Sequence, residues 1–419
     1  MPPAFARLLM AVLVALAALA GVRPAAAHLT PNSEARLAFG PHHVAAEIVI
    51  PLGDYAAASG NPTDNGAASL ERANEYLRRH VAAVSPDGAP WTLAIERLRF
   101  ETIAGPPDLH ATARLMPPPG ASPRRLVLRW SAVVDRVPNH FVLVVADGDF
   151  AGGLMGEERQ VLGALRASAR VLAIDRGTAG PFAGFAAAIR LGMTHIAEGH
   201  DHLLFLLALL LPAPVMAVAG RWGPARPPRA TMSALALIVT AFTLGHSVTL
   251  VGAALFAWRL PAQPVEVLIA ISILVSAVHA WRPIFPGREA LVAGGFGLIH
   301  GLAFATVVSG YGLDTRERAL AILGFNLGIE LVQLGVVAAI MPSLVLLART
   351  PAYPPIRTLG AGFAGVAACA WAVERIAEVA NPVAGAADLL LSHGPWLIAA
   401  LFLLAVMASA RPRRLFPTR

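Results

Sequence analysis

The chain has 419 residues, 56% of them hydrophobic and only 14% charged, with a mean hydropathy of +0.62. A composition this apolar excludes an ordinary soluble enzyme and implies several membrane spans. Every basic residue is an arginine, so lysine Schiff-base chemistry is excluded. The net charge of +7 sits in short loops and at the C-terminus, which is not the footprint of a nucleic-acid binder. The single cysteine, Cys369, excludes an intrachain disulfide and any Cys-x-x-Cys site.

Residues 1–27 read as a secretory signal peptide. Arg7 supplies the positive start, Leu8 to Ala20 the apolar run, and Ala25-Ala26-Ala27 a small-residue cleavage site. Cleavage there would leave His28 at the N-terminus, where amine and ring together can chelate copper or nickel; a first mature residue is more simply incidental. Residues 28–180 then form an exported, periplasmic domain with fifteen arginines against sixteen acidic residues. β-type runs appear at Val44–Ile50, Leu93–Phe100, Leu126–Trp130 and Phe141–Val145, separated by turn-rich stretches such as Ser85-Pro86-Asp87-Gly88. One helical insert, Ala68 to Val81, carries Leu70, Ala73, Leu77 and Val81 on one face. The pattern predicts a small β-sandwich with one helix. Its histidines (His42, His43, His80, His110 and His140) lack ligand spacing and read as surface or core positions.

Residues 181–419 change class. Pro181 to Ile196 reads as a short amphipathic helix at the outer surface. Seven spans follow, near 201–220, 231–256, 265–281, 290–310, 319–347, 358–379 and 395–410. The arginines alternate accordingly. Arg221, Arg226 and Arg229, then Arg282 and Arg288, then Arg349 and Arg357, then Arg411, Arg413, Arg414 and Arg419 fall in segments that must be inside if the β domain is outside. The expected architecture is an α-helical polytopic bundle of about seven transmembrane helices behind a signal peptide and a β-sandwich-like domain. It would lie in a bacterial inner membrane, in contact with lipid, with its C-terminus cytoplasmic.

The chemistry is densest at Met193-Thr194-His195-Ile196-Ala197-Glu198-Gly199-His200-Asp201-His202, at the mouth of the apolar run Leu203 to Leu211. Ionisable groups there are costly unless they face a bundle interior and bind something. On one continuous helix His195, Glu198 and His202 share a face; Asp201 joins them only if the backbone bends, which Gly199 permits. Imidazole nitrogen with carboxylate oxygen suits divalent nickel, zinc, cobalt or copper. Further polar residues interrupt later spans: His246 in Gly245-His246-Ser247, Ser272, Ser276 and His279 on one face, His300 before Gly301, and Asn326, Glu330 and Gln333 on one face. His279, beside Arg282 at a span end, reads as solvated. The Gly297/Gly301 pair reads as a close helix contact.

Together these motifs make a family resemblance specific. His195, five residues, then Asp201-His202 resembles the His-x5-Asp-His signature of the HupE/UreJ family, hydrogenase- and urease-associated membrane proteins regarded as nickel permeases. Gly245-His246-Ser247, His300-Gly301 and Phe325-Asn326-x-Gly328-x-Glu330 look like that family's later blocks, over roughly residues 184–350. The exported domain makes the chain similar to the family's longer branch. Short members carry two His-Gly pairs and a trailing glutamate in the fourth-span block, where this chain has Phe296-Gly297 and Ala303. The resemblance implies metal contact by His195, Asp201, His202 and His300, with Glu330 next. His246 joins them as a relay ligand, and Glu198, His200 and Asn326 are additional candidates.

The leading expectation is a nickel permease and not an enzyme, with no firm cofactor and Ni2+ as cargo (Zn2+, Co2+ or Cu2+ being chemically similar). In it the His195–Asp201–His202 group strips water at the outer face, and His246, His300, Asn326 and Glu330 relay the ion inward. An intramembrane metal hydrolase is the alternative, although His-Glu-x-x-His and Gly-x-Ser-x-Gly are both missing. A non-transporting hydrogenase or urease accessory protein, with exported or nickel-enzyme maturation partners, is the third reading.

Overall fold

The computed structural model describes residues 32–102, 107–156, 159–178, 180–256, 261–309 and 313–410, with the side chains of 303–309 left aside. The signal-type stretch, His28 and the C-terminal arginines lie outside the described residues.

The strands of the N-terminal part are β1 (Ser33–Phe39), β2 (Val44–Pro51), β3 (Val81–Val84), β4 (Thr92–Glu101), β5 (Asp108–Met116), β6 (Arg125–Trp130), β7 (Phe141–Gly148), β8 (Gln160–Arg166) and β9 (Val171–Asp175). In β1 the sequence SEARLAF alternates, so Ala35, Leu37 and Phe39 turn inward while Glu34 and Arg36 face out. β1 pairs antiparallel with β2 and parallel with β7. A six-stranded sheet results, in the order β4-β5-β2-β1-β7-β8, with a second sheet in the order β3-β6-β9. Leu37, Ile48 and Val144 of the first share one apolar core with Leu126, Leu128, Trp130 and Ile174 of the second. Two helices join that core, not the single one expected: α1 (Leu52–Ser59) and α2 (Ala67–His80). α1 has only eight residues and buries only Tyr55, too little for a periodic signal.

The C-terminal part is helical: α3 (Pro181–Glu198), α4 (His200–Leu210), α5 (Pro228–Phe256), α6 (Ala262–Trp281), α7 (Glu289–Ser309), α8 (Thr315–Leu347), α9 (Tyr353–Ala377), α10 (Pro382–Ser392) and α11 (Gly394–Ala410). Among the described residues α5, α6, α8 and α9 are long and apolar enough to cross a membrane. The pair α10–α11, bent by 67°, makes a fifth if it counts as one span. The expected span over 201–220 is not continuous helix. Pro212 and Pro214 stop α4 at Leu210, and the chain turns into a hairpin of β10 (Val215–Val218) and β11 (Arg221–Ala225). Its turn residues, Ala219 and Gly220, both have positive φ, as the twist of a two-residue hairpin requires.

α3 is not a surface helix either. It runs along α8, and a methyl group on Gly192 would overlap the carbonyl of Phe325. α5 and α7 approach equally closely: a methyl on Gly297 would overlap the carbonyl of Phe242. In an apolar medium such contacts of small residues drive helix association. α3 begins where the β part is seated. Phe150 and Met155 are buried there with Ala187 and Ala188 of α3 and with Leu313 and Ala321 at the start of α8. Beneath them the buried carboxylate of Asp149 is held by Arg124 (Nη2–Oδ2 3.0 Å), by Arg176 (Nε–Oδ2 2.8 Å) and by the Gly152 N–H. Only such complete pairing offsets the desolvation of a buried charge.

In the β part, His140 ties three elements together. Its Nε2 accepts the hydroxyl of Ser33 at 2.7 Å and the Ser33 N–H at 3.3 Å, so Nδ1 carries the proton donated to Asp54 at 2.8 Å. The ring is held neutral, and burial lowers its pKa below the ordinary value. An unfolded chain therefore binds a proton here that the folded one refuses, and folding stability falls as pH drops from about 6.5 towards that lowered value. We expect the melting temperature of the detergent-solubilised protein to fall on acidification through this window, with the fall flattened in His140→Gln. An equal slope in both proteins would refute the assignment.

Candidate metal centre

The helical run starting at Pro181 breaks once, at Gly199, where φ is −77° and ψ 90°. The break is tight. A methyl on Gly199 would lie 2.7 Å from the His195 carbonyl and 2.8 Å from His202 Nδ1, so only glycine fits without moving the ring. Because α4 restarts at once, His195 and His202 meet across the break with ring centroids 4.8 Å apart. Close packing of α5 and α7 brings in two more imidazoles. His246 lies 6.4 Å from His195, and His300 lies 4.9 Å from His202. One nitrogen each from His195, His202 and His246 lie within 4.8 Å of one another, a spacing that can hold a metal ion.

The hydrogen bonds decide which nitrogens are offered. Asp201 Oδ1 accepts the backbone N–H of His202 at 2.8 Å and sits 2.9 Å from its Nδ1. The Nδ1–H therefore points at the carboxylate and Nε2 keeps its lone pair. This is the carboxylate–histidine arrangement that orients metal-ligating imidazoles. Ser272 Oγ donates to the Ile269 carbonyl at 2.7 Å, so its contact with His300 Nε2 at 3.0 Å makes Nε2 the donor and frees Nδ1. Among the described residues His202 Nε2, both nitrogens of His246 and His300 Nδ1 are buried without a hydrogen-bond partner. Leaving such atoms unmet costs about 1–3 kcal/mol each. Phe205 and Phe242 close the site around His300, and Phe325 lies against His195, which strengthens any cation–ligand attraction inside.

Not every predicted residue joins the cluster. His195, Asp201, His202, His246 and His300 come together, and Asn326 is buried beside His246 with its Oδ1 unmet. The two histidines expected as deeper relay ligands thus belong to the same cluster as the opening motif. Glu198, the last residue of α3, is exposed, since the break removes the continuous face it would share with His202. His200 turns away to Asp388 of α10, with Nδ1–Oδ1 3.0 Å. Glu330, half-buried one turn past Asn326, makes no hydrogen bond or ion pair with another described residue. His279 is fully buried, contrary to the solvated reading: its Nδ1 accepts the N–H groups of Ile284 and Phe285, and its ring stacks on Phe285 at 3.7 Å. Ser272 was visible as a face-sharing residue; its bond to His300 needed the packing of α6 on α7. Asp388 had no signal.

Residues 173–375 match the family model described as HupE / UreJ protein. This segment belongs to the HupE/UreJ family. This is a membrane family associated with nickel/cobalt accessory or transport roles. The HupE/UreJ match takes in every residue of the histidine cluster and most of the helical part, and leaves β1 to β8, α10 and α11 outside. No curated protein and no solved structure matches the chain.

Because Asp201 orients His202 without closing on the cluster, Asp201→Asn should keep the fold and lower metal affinity by about 10–100-fold. Titration of the purified full-length protein with Ni2+ or Zn2+ measures this, and unchanged affinity would exclude the orienting role.

Proposed function

We propose that the protein is a divalent-metal permease, with nickel the preferred cargo, which takes ions from the periplasm into the cytoplasm. The observation that carries this reading is the group of unpaired, buried imidazole nitrogens at a helix break inside an apolar bundle. Backbone that leaves helical geometry at membrane depth is tolerated where it lines a site, and broken helices at mid-bundle are the usual place for transported ions. Three or four neutral imidazoles suit nickel, cobalt, copper or zinc and exclude a site for calcium or magnesium. Nitrogen ligands without thiolate also bind weakly enough to release, as conduction requires.

On this reading the ion loses part of its water shell to His195, His202 and His246. His300 stands ready as a further ligand through Nδ1, while Asp201 and Ser272 hold two of the rings in the required tautomers. The β part lies on the periplasmic side behind a cleaved signal peptide, and the C-terminus is cytoplasmic. The hydrolase reading is less well supported, because Asp201 is committed to His202 and Glu198 is exposed.

Radiolabelled nickel uptake, in cells stripped of their own nickel transporters and at matched membrane levels, tests the proposal. Wild type should accumulate nickel, His202→Ala and His246→Ala should fall to background, and His200→Ala should remain near wild type because His200 faces Asp388. Full uptake by His202→Ala would end the site assignment. Failure of the wild type with nickel, cobalt, zinc and copper alike would end the permease reading.

A further inference from the structure

An ion leaving the cluster needs a way to the end of the bundle opposite the β part. That end is marked by Leu344 and Leu347 of α8, packed with Tyr353 and Val215, whereas α8 begins at the seat of the β part. A polar line leads there. On α6, Ser272, Ser276 and His279 succeed one another at helical spacing, all at most 1% exposed. Ser272 touches His300, and His279 lies about 10 Å further along the axis. The hydroxyl protons are spent inside the helix: Ser272 donates to the Ile269 carbonyl and Ser276 to the Ser272 carbonyl at 2.9 Å. What each serine presents sideways is therefore oxygen lone pairs, which suit a passing cation. At the end of the line His279 Nε2, buried without a hydrogen-bond partner, stands 3.7 Å from Glu289 Oε1, and Glu289 is partly open to solvent.

At that end the line meets the β10–β11 hairpin. The last four carbonyls of α6 are all capped, by three different partners. Val278 accepts the Arg282 N–H, and Ala280 and Trp281 accept the buried guanidinium of Arg357. The His279 carbonyl depends on Trp222 of β11, whose Nε1–H donates to it at 3.0 Å while its ring stands edge-on to the His279 ring at 5.2 Å. Arg357 is fixed in a long helix. Trp222 rides on a two-stranded ribbon that pairs with no other strand, a structure with little stability of its own. The ribbon follows directly on α4, whose first turn carries His202.

We infer that Ser272, Ser276, His279 and Glu289 line the inward exit of the metal site and that Trp222 on the β10–β11 hairpin is its gate. This rests on the transport reading, and the test below separates the two. In a Cys369→Ala background, which has no other cysteine, Ser276→Cys is exposed to a small membrane-impermeant cationic methanethiosulfonate, in inside-out and in right-side-out vesicles. With Trp222 in place, labelling from the hairpin face should be slow. Trp222→Ala should speed it by about tenfold, since a hydrogen bond and a ring contact are lost, and labelling from the β-domain face should not change. Trp222→Phe, which keeps the ring bulk but not the N–H, should fall between and serves if the alanine variant fails to insert. Equal rates with and without Trp222, or labelling from the β-domain face alone, would overturn the gate. Labelling needs no transport, so a wild type that fails to accumulate nickel overturns the permease reading while a gated response still stands.

Discussion

Everything at the candidate centre depends on one interruption of hydrogen bonding, at Gly199. An unbroken helix would place His195 and His202 almost two turns apart along the axis, out of reach of one ion. The break folds that distance away, at the cost of local helical bonds, and the cost is contained because the chain restarts within one residue. Glycine is the only residue whose missing side chain leaves room for the His202 ring. The glycine contacts of α3 with α8 and of α5 with α7 then decide what stands opposite the break: His246, His300 and Phe325.

The electrostatic character of the cluster follows from small commitments nearby. Asp201 and Ser272 each take up one ring proton, of His202 and His300, and so point the remaining lone pairs inward. Without them the two imidazoles would be free to present N–H groups to each other's lone pairs and satisfy themselves. With them, the rings keep lone pairs directed inward, where a metal ion can take them up. This is a feature of binding sites more than of packing, since packing alone favours buried polar atoms that find partners within the protein.

Much of this was legible in the sequence. The His-x5-Asp-His spacing, the glycine next to it and the later histidines named the five residues that meet. The β-type runs Val44–Ile50 and Phe141–Val145 correspond to two of the central strands. Other features depend on contacts that no local pattern carries. α1 is too short for a period, and His140 gains its meaning from Ser33 and Asp54, over a hundred and over eighty positions away in sequence. The expected span over 201–220 is longer than α4 because hydropathy runs on through Leu211 to Ala219, while the prolines at 212 and 214 stop the helix. The arginine three residues after His279 points to a solvated ring, yet the chain folds back through Phe285 and covers it. Charge near a helix end reports where the end lies; it says little about which of its neighbours are wet.

The seat of the β part on α3 has a mechanical consequence. α3 is an 18-residue rod, pinned at its first turns against Phe150 and ending one turn beyond His195. Past the break, α4 belongs to a different body, packed into α6 and α9 through Leu204, Phe205 and Ala208. A tilt of the β part would therefore act as a lever with its fulcrum among the glycines along α8, moving His195 relative to His202 while leaving His202 where it is. The distance between those two rings would then answer in part to a seat some 15 Å away along the rod, and Gly199 is the joint that permits it.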